Sequence, residues 1–89
     1  MKIKEIIYYN RFKTSYGSLP NKIKSSAERK EAIFRNNPFN QRLKTHKLHG
    51  RLKDLWSFSI DNNYRIIFRF YKTKEVVIFI DVGTHEIYK

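Results

Sequence analysis

His46, His49, Arg65, His85 and Tyr88, with basic side chains beside them, form a set that could move protons and hold an oxyanion without a metal. Imidazole titrates near pH 6.5, so a histidine can accept or donate a proton at neutral pH. Arginine keeps its charge and offers a planar fork of donors that fits a phosphate. These types suit one reaction in particular, the cutting of RNA by its own 2′-hydroxyl attacking the adjacent phosphate. That reaction needs a base at the 2′-hydroxyl, a cation on the developing dianion and an acid at the departing 5′-oxygen.

Other chemistries lack their residues. There is no Walker loop, no dinucleotide-binding glycine pattern and no nucleophile elbow, so no cofactor is expected. Cysteine is absent, which removes disulfides and thiolate metal sites and suits a reducing compartment. His46-Lys47-Leu48-His49 has no carboxylate close by, and no metal site is assigned to it. The aromatic-and-glycine strand signature of an RRM is also missing.

Charge supplies the second clue. Nineteen Lys and Arg face eight Asp and Glu, a formal net charge of +11. Between Glu31 and Asp54 there is no acidic residue, and Arg35, Arg42, Lys44, Lys47, Arg51 and Lys53 fall in that gap. A solvated basic face is the plain alternative. The local concentration favours a polyanion, whose counterions are released on binding. Arg42, Lys44, Lys47, Arg51, Lys53 and, further on, Arg69 are the candidate RNA contacts. No segment joins a long apolar face to a basic one, so a membrane partner is not expected. No apolar run approaches the ~20 residues of a membrane span, and the chain opens without a signal-peptide pattern. A bacterial cytoplasmic location is the expectation.

Positioning these groups falls to one small domain over residues 1–89, class α+β. Lys2 to Tyr9 reads as a strand. Asn10 is placed to cap a short helix with Phe12, Tyr16 and Leu19 on one face. Gly17-Ser18 ends it, and Pro20 opens a second helix that keeps Ile23, Ala27 and Phe34 on a stripe as far as Asn37-Pro38. After a polar, basic connection the period becomes two. Trp56, Phe58 and Ile60 alternate with Ser57, Ser59 and Asp61. Tyr64, Ile66, Phe68 and Phe70 alternate with Arg65, Ile67, Arg69 and Tyr71, and a β-branched run follows from Glu75 to Val82. A strand, a helical hairpin and an antiparallel meander imply helices packed on one face of a sheet. Arg65 and Arg69 then face away from the helices. The turn before the last strand does not fix its parity; with Val76, Ile78 and Ile80 inward, Asp81, Gly83 and His85 would join Arg65 and Arg69 on an open, polar, cationic face.

The order and spacing of Asn37-Pro38-Phe39, Leu43-Lys44-Thr45-His46-Lys47-Leu48-His49-Gly50, Leu55-Trp56-Ser57, Tyr64-Arg65-Ile66-Ile67-Phe68 and Val82-Gly83-Thr84-His85-Glu86-Ile87-Tyr88 resemble the RelE/ParE toxin superfamily over essentially the whole chain. The likeness is greatest to the branch of RelE, YoeB and YafQ messenger-RNA interferases. The resemblance implies a RelE-like fold and the toxin of a type II toxin–antitoxin pair. It implies a metal-independent endoribonuclease that enters the ribosome, cuts messenger RNA there, and is silenced by a cognate antitoxin. By position, Arg65 matches the phosphate-stabilising arginine of RelE and YoeB. His85 matches a catalytic Arg of RelE and a catalytic His of YafQ. Tyr88 matches a functional C-terminal aromatic, and His46 a catalytic His of YafQ.

The sequence departs from these toxins in its bases. Ser57 and Ser59 stand where RelE has lysines, and Gln41, Arg42 and Leu43 where YoeB has a glutamate. Ser59 and Asn63 replace the His and Asp of YafQ. Either His46 or His85 must then serve as base, and their order of action stays open. Two other functions share the fold: a ParE-like binder of DNA gyrase without catalysis, and a non-catalytic RNA-binding domain. ParE-like members usually lack the set of His46, His85 and Tyr88, which favours the nuclease.

Overall fold

The computed structural model describes residues 2–88. Strand β1 (Glu5–Tyr8) leads into helix α1 (Asn10–Gly17) and helix α2 (Asn21–Asn36). The second half holds a two-residue strand β2 (His46–Lys47), then β3 (Trp56–Ser59), β4 (Arg65–Tyr71) and β5 (Thr73–Gly83). The sheet order is β1-β5-β4-β3-β2. The meander is antiparallel as expected, whereas β1 runs parallel to β5, with Tyr8 opposite Phe79.

Helix entry differs from expectation by one residue at each helix. Asn10 is the first residue of α1, and the extended Tyr9 precedes it with no side-chain cap. Pro20 occupies the position before α2, where its missing N–H costs nothing and its carbonyl accepts from Ile23 and Lys24. The apolar stripe of both helices meets one sheet face. Phe34 of α2 is fully buried, stacked on Phe58 at 4.7 Å and edge-on to Phe68 and Phe79 at 5.0 and 5.5 Å. Phe12, Leu19, Ile66, Val77 and Val82 complete that core. Truncating such a ring costs ~3–5 kcal/mol, so Phe34 is the fold's central packing element.

Strand β5 has the parity that its turn left open. Val77 and Phe79, not Val76, Ile78 and Ile80, enter the core beneath the helices. The ladder pairs Phe68 with Phe79 but Ile67 with Asp81, so Ile80 is the extra residue of a bulge. The bulge reverses parity, and Asp81 and Gly83 still reach Arg65's face. That face is also less open than its alternation suggests. Ser57, Ile67, Ile78 and Asp81 are all buried. The segment from Leu48 to Leu55 and a 3₁₀ turn at His85–Tyr88 lie over it, enclosing a small hollow lined by Leu52, Leu55, Ile67, Ile80 and Ile87. His85 thus belongs to that turn and not to the strand.

Candidate active site

Arg65 opens β4 directly across from Ser59 on β3 and Gly83 on β5. Paired residues share a face, so all three lie on the side away from the helices. After Gly83 the chain folds into the His85–Tyr88 turn, closed by the Ile87 N–H donating to the Thr84 carbonyl at 3.1 Å. Tyr88 is thereby returned over the sheet, where its hydroxyl donates to Ser57 Oγ at 2.8 Å. The Arg65 guanidinium sits 5.4 Å from the Tyr88 ring centre, a cation–π distance. His85 meets the same ring edge-on, 5.1 Å between centres.

Tyr88 is therefore a shared plate that fixes Arg65 and His85 relative to each other. A cleft of about 490 Å³ opens beside them, lined by Asn62, Asn63, Tyr64, Arg65, Thr84, His85 and Glu86. Its far wall, the turn between β3 and β4, is held by Asp61 Oδ1, which accepts from the N–H groups of Asn63 and Tyr64 at 2.8 and 2.7 Å. Arg65 Nε is shielded from solvent and has no hydrogen-bond partner among the described residues. A buried donor left so costs ~1–3 kcal/mol. Asp81, the plain alternative partner for Arg65, is taken up elsewhere: it pairs with Arg11 Nε at 3.0 Å and accepts from the Val82 N–H.

His46 stands apart from the cleft lining. On β2 it is the cross-strand partner of Ser57, so it approaches the same face from the sheet edge. Its Nδ1 lies 3.0 Å from the Lys44 carbonyl. A carbonyl only accepts, so Nδ1 carries the proton, and in the neutral ring Nε2 is the basic nitrogen. His49 is exposed. Arg42, Lys44, Lys47, Arg51 and Lys53 are all exposed, while Arg69 is half-buried opposite Ile78. Among the described residues no cluster of three His, Cys, Asp or Glu side chains is arranged to hold a metal.

Sequence reading missed two supports of the site. Ser57 read as an open-face residue but is 1% exposed beneath Tyr88. Ile87 read as part of a terminal motif and instead packs against Gly83, where a Cβ would stand 2.6 Å from Ile87 Cγ2. Only the turn geometry creates either contact.

No family sequence model matches the chain, and no curated protein matches it in sequence. Solved structures do match in shape. YafQ from Escherichia coli superposes with a TM-score of 0.76 at 18% identity, over 93% of this chain and 94% of that one. The YoeB/ParE toxin from Agrobacterium tumefaciens gives 0.75 at 17%, over 96% and 99%. The archaeal RelE of the RelE–RelB complex from Pyrococcus horikoshii gives 0.72 at 17%, over 94% and 96%. The chain has the RelE-like fold. Near-complete coverage in both directions means that the chain shares with those structures the whole layout, from the helical hairpin to the last strand.

Proposed function

We propose that this protein is the toxin of a type II toxin–antitoxin pair, an endoribonuclease that cuts messenger RNA on the ribosome by 2′-hydroxyl attack on the adjacent phosphate. The observation that carries the reading is the assembly of Arg65, His85 and Tyr88 at one cleft, with a shielded Arg65 Nε lacking a protein partner. A phosphate oxygen would meet the guanidinium fork, which lines the cleft. Its charge grows as the pentavalent state forms, so Arg65 would contribute most in the transition state. His85, exposed at the cleft, and His46, with Nε2 basic, would exchange the two protons. Tyr88 would hold Arg65 in place. Lys44, Lys47, Arg42, Arg51 and Lys53 would neutralise RNA phosphates, Arg69 contributing from the sheet.

A small acidic antitoxin is the expected protein partner, because an isolated +11 domain meets RNA throughout a cell. Two of the matching structures, DinJ–YafQ and RelBE2, are themselves toxin–antitoxin complexes. The test is primer extension on a messenger in a purified translation system, with and without ribosomes. Cuts that need both ribosomes and Arg65 support the reading. Intact messenger alongside arrested DNA supercoiling would replace it with a gyrase binder.

A further inference from the structure

The segment after α2 carries an aromatic that the cleavage chemistry does not use. Phe39 is 41% exposed, yet it is held: its ring is edge-on to Trp56 at 5.7 Å and stacked on Phe70 at 6.1 Å. Both supporting rings pack against the main core, so Phe39 is backed on one side and presents the rest of its surface to solvent.

The loop around it is tied by hydrogen bonds. Asn37 Oδ1 accepts from the Phe39 N–H at 3.0 Å, and Asn40 Oδ1 from the Arg42 N–H at 2.9 Å. The Thr45 hydroxyl closes the loop by donating to the Pro38 carbonyl. Between these residues lies a hollow of about 480 Å³ lined by Asn37, Phe39, Asn40, Gln41 and Arg42. A flat apolar ring, carboxamides and a guanidinium match a nucleobase: a face to stack, an edge to hydrogen-bond and a phosphate to neutralise.

We infer that this hollow binds one unpaired base of single-stranded RNA, stacked on Phe39, with Gln41 at its edge and Arg42 on the adjoining phosphate. The ring, carboxamides and guanidinium gathered at one hollow favour an RNA base over an acidic protein, and charge admits the RNA. The run from residue 32 to residue 53 has no acidic side chain, so the surface around Phe39 favours a continuous polyanion. The inference rests on the proposed reading of the basic segment as RNA-facing and adds a base site to it, on the helix side of the sheet and apart from the cleft of Arg65.

Trp56 is the only tryptophan in the sequence and sits one ring away from the proposed base, so its fluorescence reports occupancy. The probe is a single-stranded oligoribonucleotide with 2′-O-methyl riboses, compared with an abasic backbone of the same length. Neither can be cut through the 2′-hydroxyl, so the result is independent of whether Arg65 and His85 cleave. The base-bearing strand should quench Trp56 saturably and the abasic strand should not. Phe39→Leu should bind the base-bearing strand about 10-fold more weakly and lose the quench, while Phe39→Tyr keeps both. Equal binding of the two strands by the wild type, or an unchanged quench in Phe39→Leu, would overturn the inference. So would base-independent binding of RNA beside saturable binding of an acidic helical peptide at Phe39, which would give the surface to a protein.

Discussion

Replacing Gly83 by alanine probes how the terminal turn sets the site. The new methyl group would stand 2.6 Å from Ile87 Cγ2 and 4.0 Å from Ile87 Cβ. Carbon atoms in contact rest ~3.5–4.0 Å apart, so Cγ2 must retreat by about 1 Å. Ile87 is β-branched and has little rotameric freedom. Gly83 is fixed by its pairing with Arg65 in the ladder. The turn is held more lightly, by the Ile87 N–H on Thr84 and the Tyr88 hydroxyl on Ser57. The turn therefore moves, and with it His85 and Tyr88. Displacing reacting groups by about 1 Å costs ~10²-fold in rate. Overpacking at this half-buried rim costs ~1 kcal/mol, the low end of its usual range, or roughly 4–8 °C in melting temperature. Adding Ile87→Ala removes Cγ2 and leaves Cβ at the ordinary 4.0 Å contact, so the double variant should regain at least ~10-fold of the lost rate. The assay is messenger cleavage in a purified translation system, paired with thermal melts and the Ile87→Ala control. Full activity in Gly83→Ala, or a double variant no better than the single, would refute this reasoning.

Arg65→Ala should slow single-turnover cleavage by ~10² to 10³ with ribosome binding unchanged, and its melting temperature should stay close to wild type because relief of the unpaired Nε offsets the lost cation–π contact with Tyr88. Replacing Lys44 and Lys47 together by alanine should lower the log–log salt slope of ribosome binding by about 2 without moving the cut position, as primer extension across a salt series would show. Burial, and then the hydrogen bond to Glu31, raise the Tyr8 phenol above its ordinary 10.0. Its contribution to stability is thus complete below pH 10.0 and is lost as pH rises through the folded-state value. Tyr8→Phe should lose less stability than wild type between about pH 8 and about pH 11 in chemical denaturation. Part of the alkaline loss should persist in that variant, because the Tyr16 phenol is raised as well.

The meander and both helices were legible because each has a clean period: Phe58 with Ile60, Ile66 with Phe68, and Ala27 with Phe34 all enter one core. What the period could not carry was anything set by a local irregularity or a long-range pairing. The bulge at Ile80 exchanges the faces of β5 midway, and a period-two reading has no means of seeing it. The parallel pairing of β1 with β5 depends on residues some seventy positions apart. The basic connection read as polar, yet Leu43 and Leu48 are buried and His46–Lys47 adds an edge strand. At the site, Arg65 was placed by alternation alone. The union of His85 with Tyr88, and the seat of Tyr88 on Ser57, come from the turn after Gly83, whose shape is set by Ile87 packing and not by any repeat. Arg11 was missed as the partner of Asp81 because its side chain is 75% exposed and reaches across from α1.

The most direct test of the proposed chemistry is a messenger carrying a single 2′-deoxy nucleotide on the 5′ side of the scissile phosphate, presented on ribosomes. If the 2′-hydroxyl is the nucleophile, that messenger should bind as the normal one does and remain uncut at the substituted position. Cleavage there at the normal rate would contradict the mechanism.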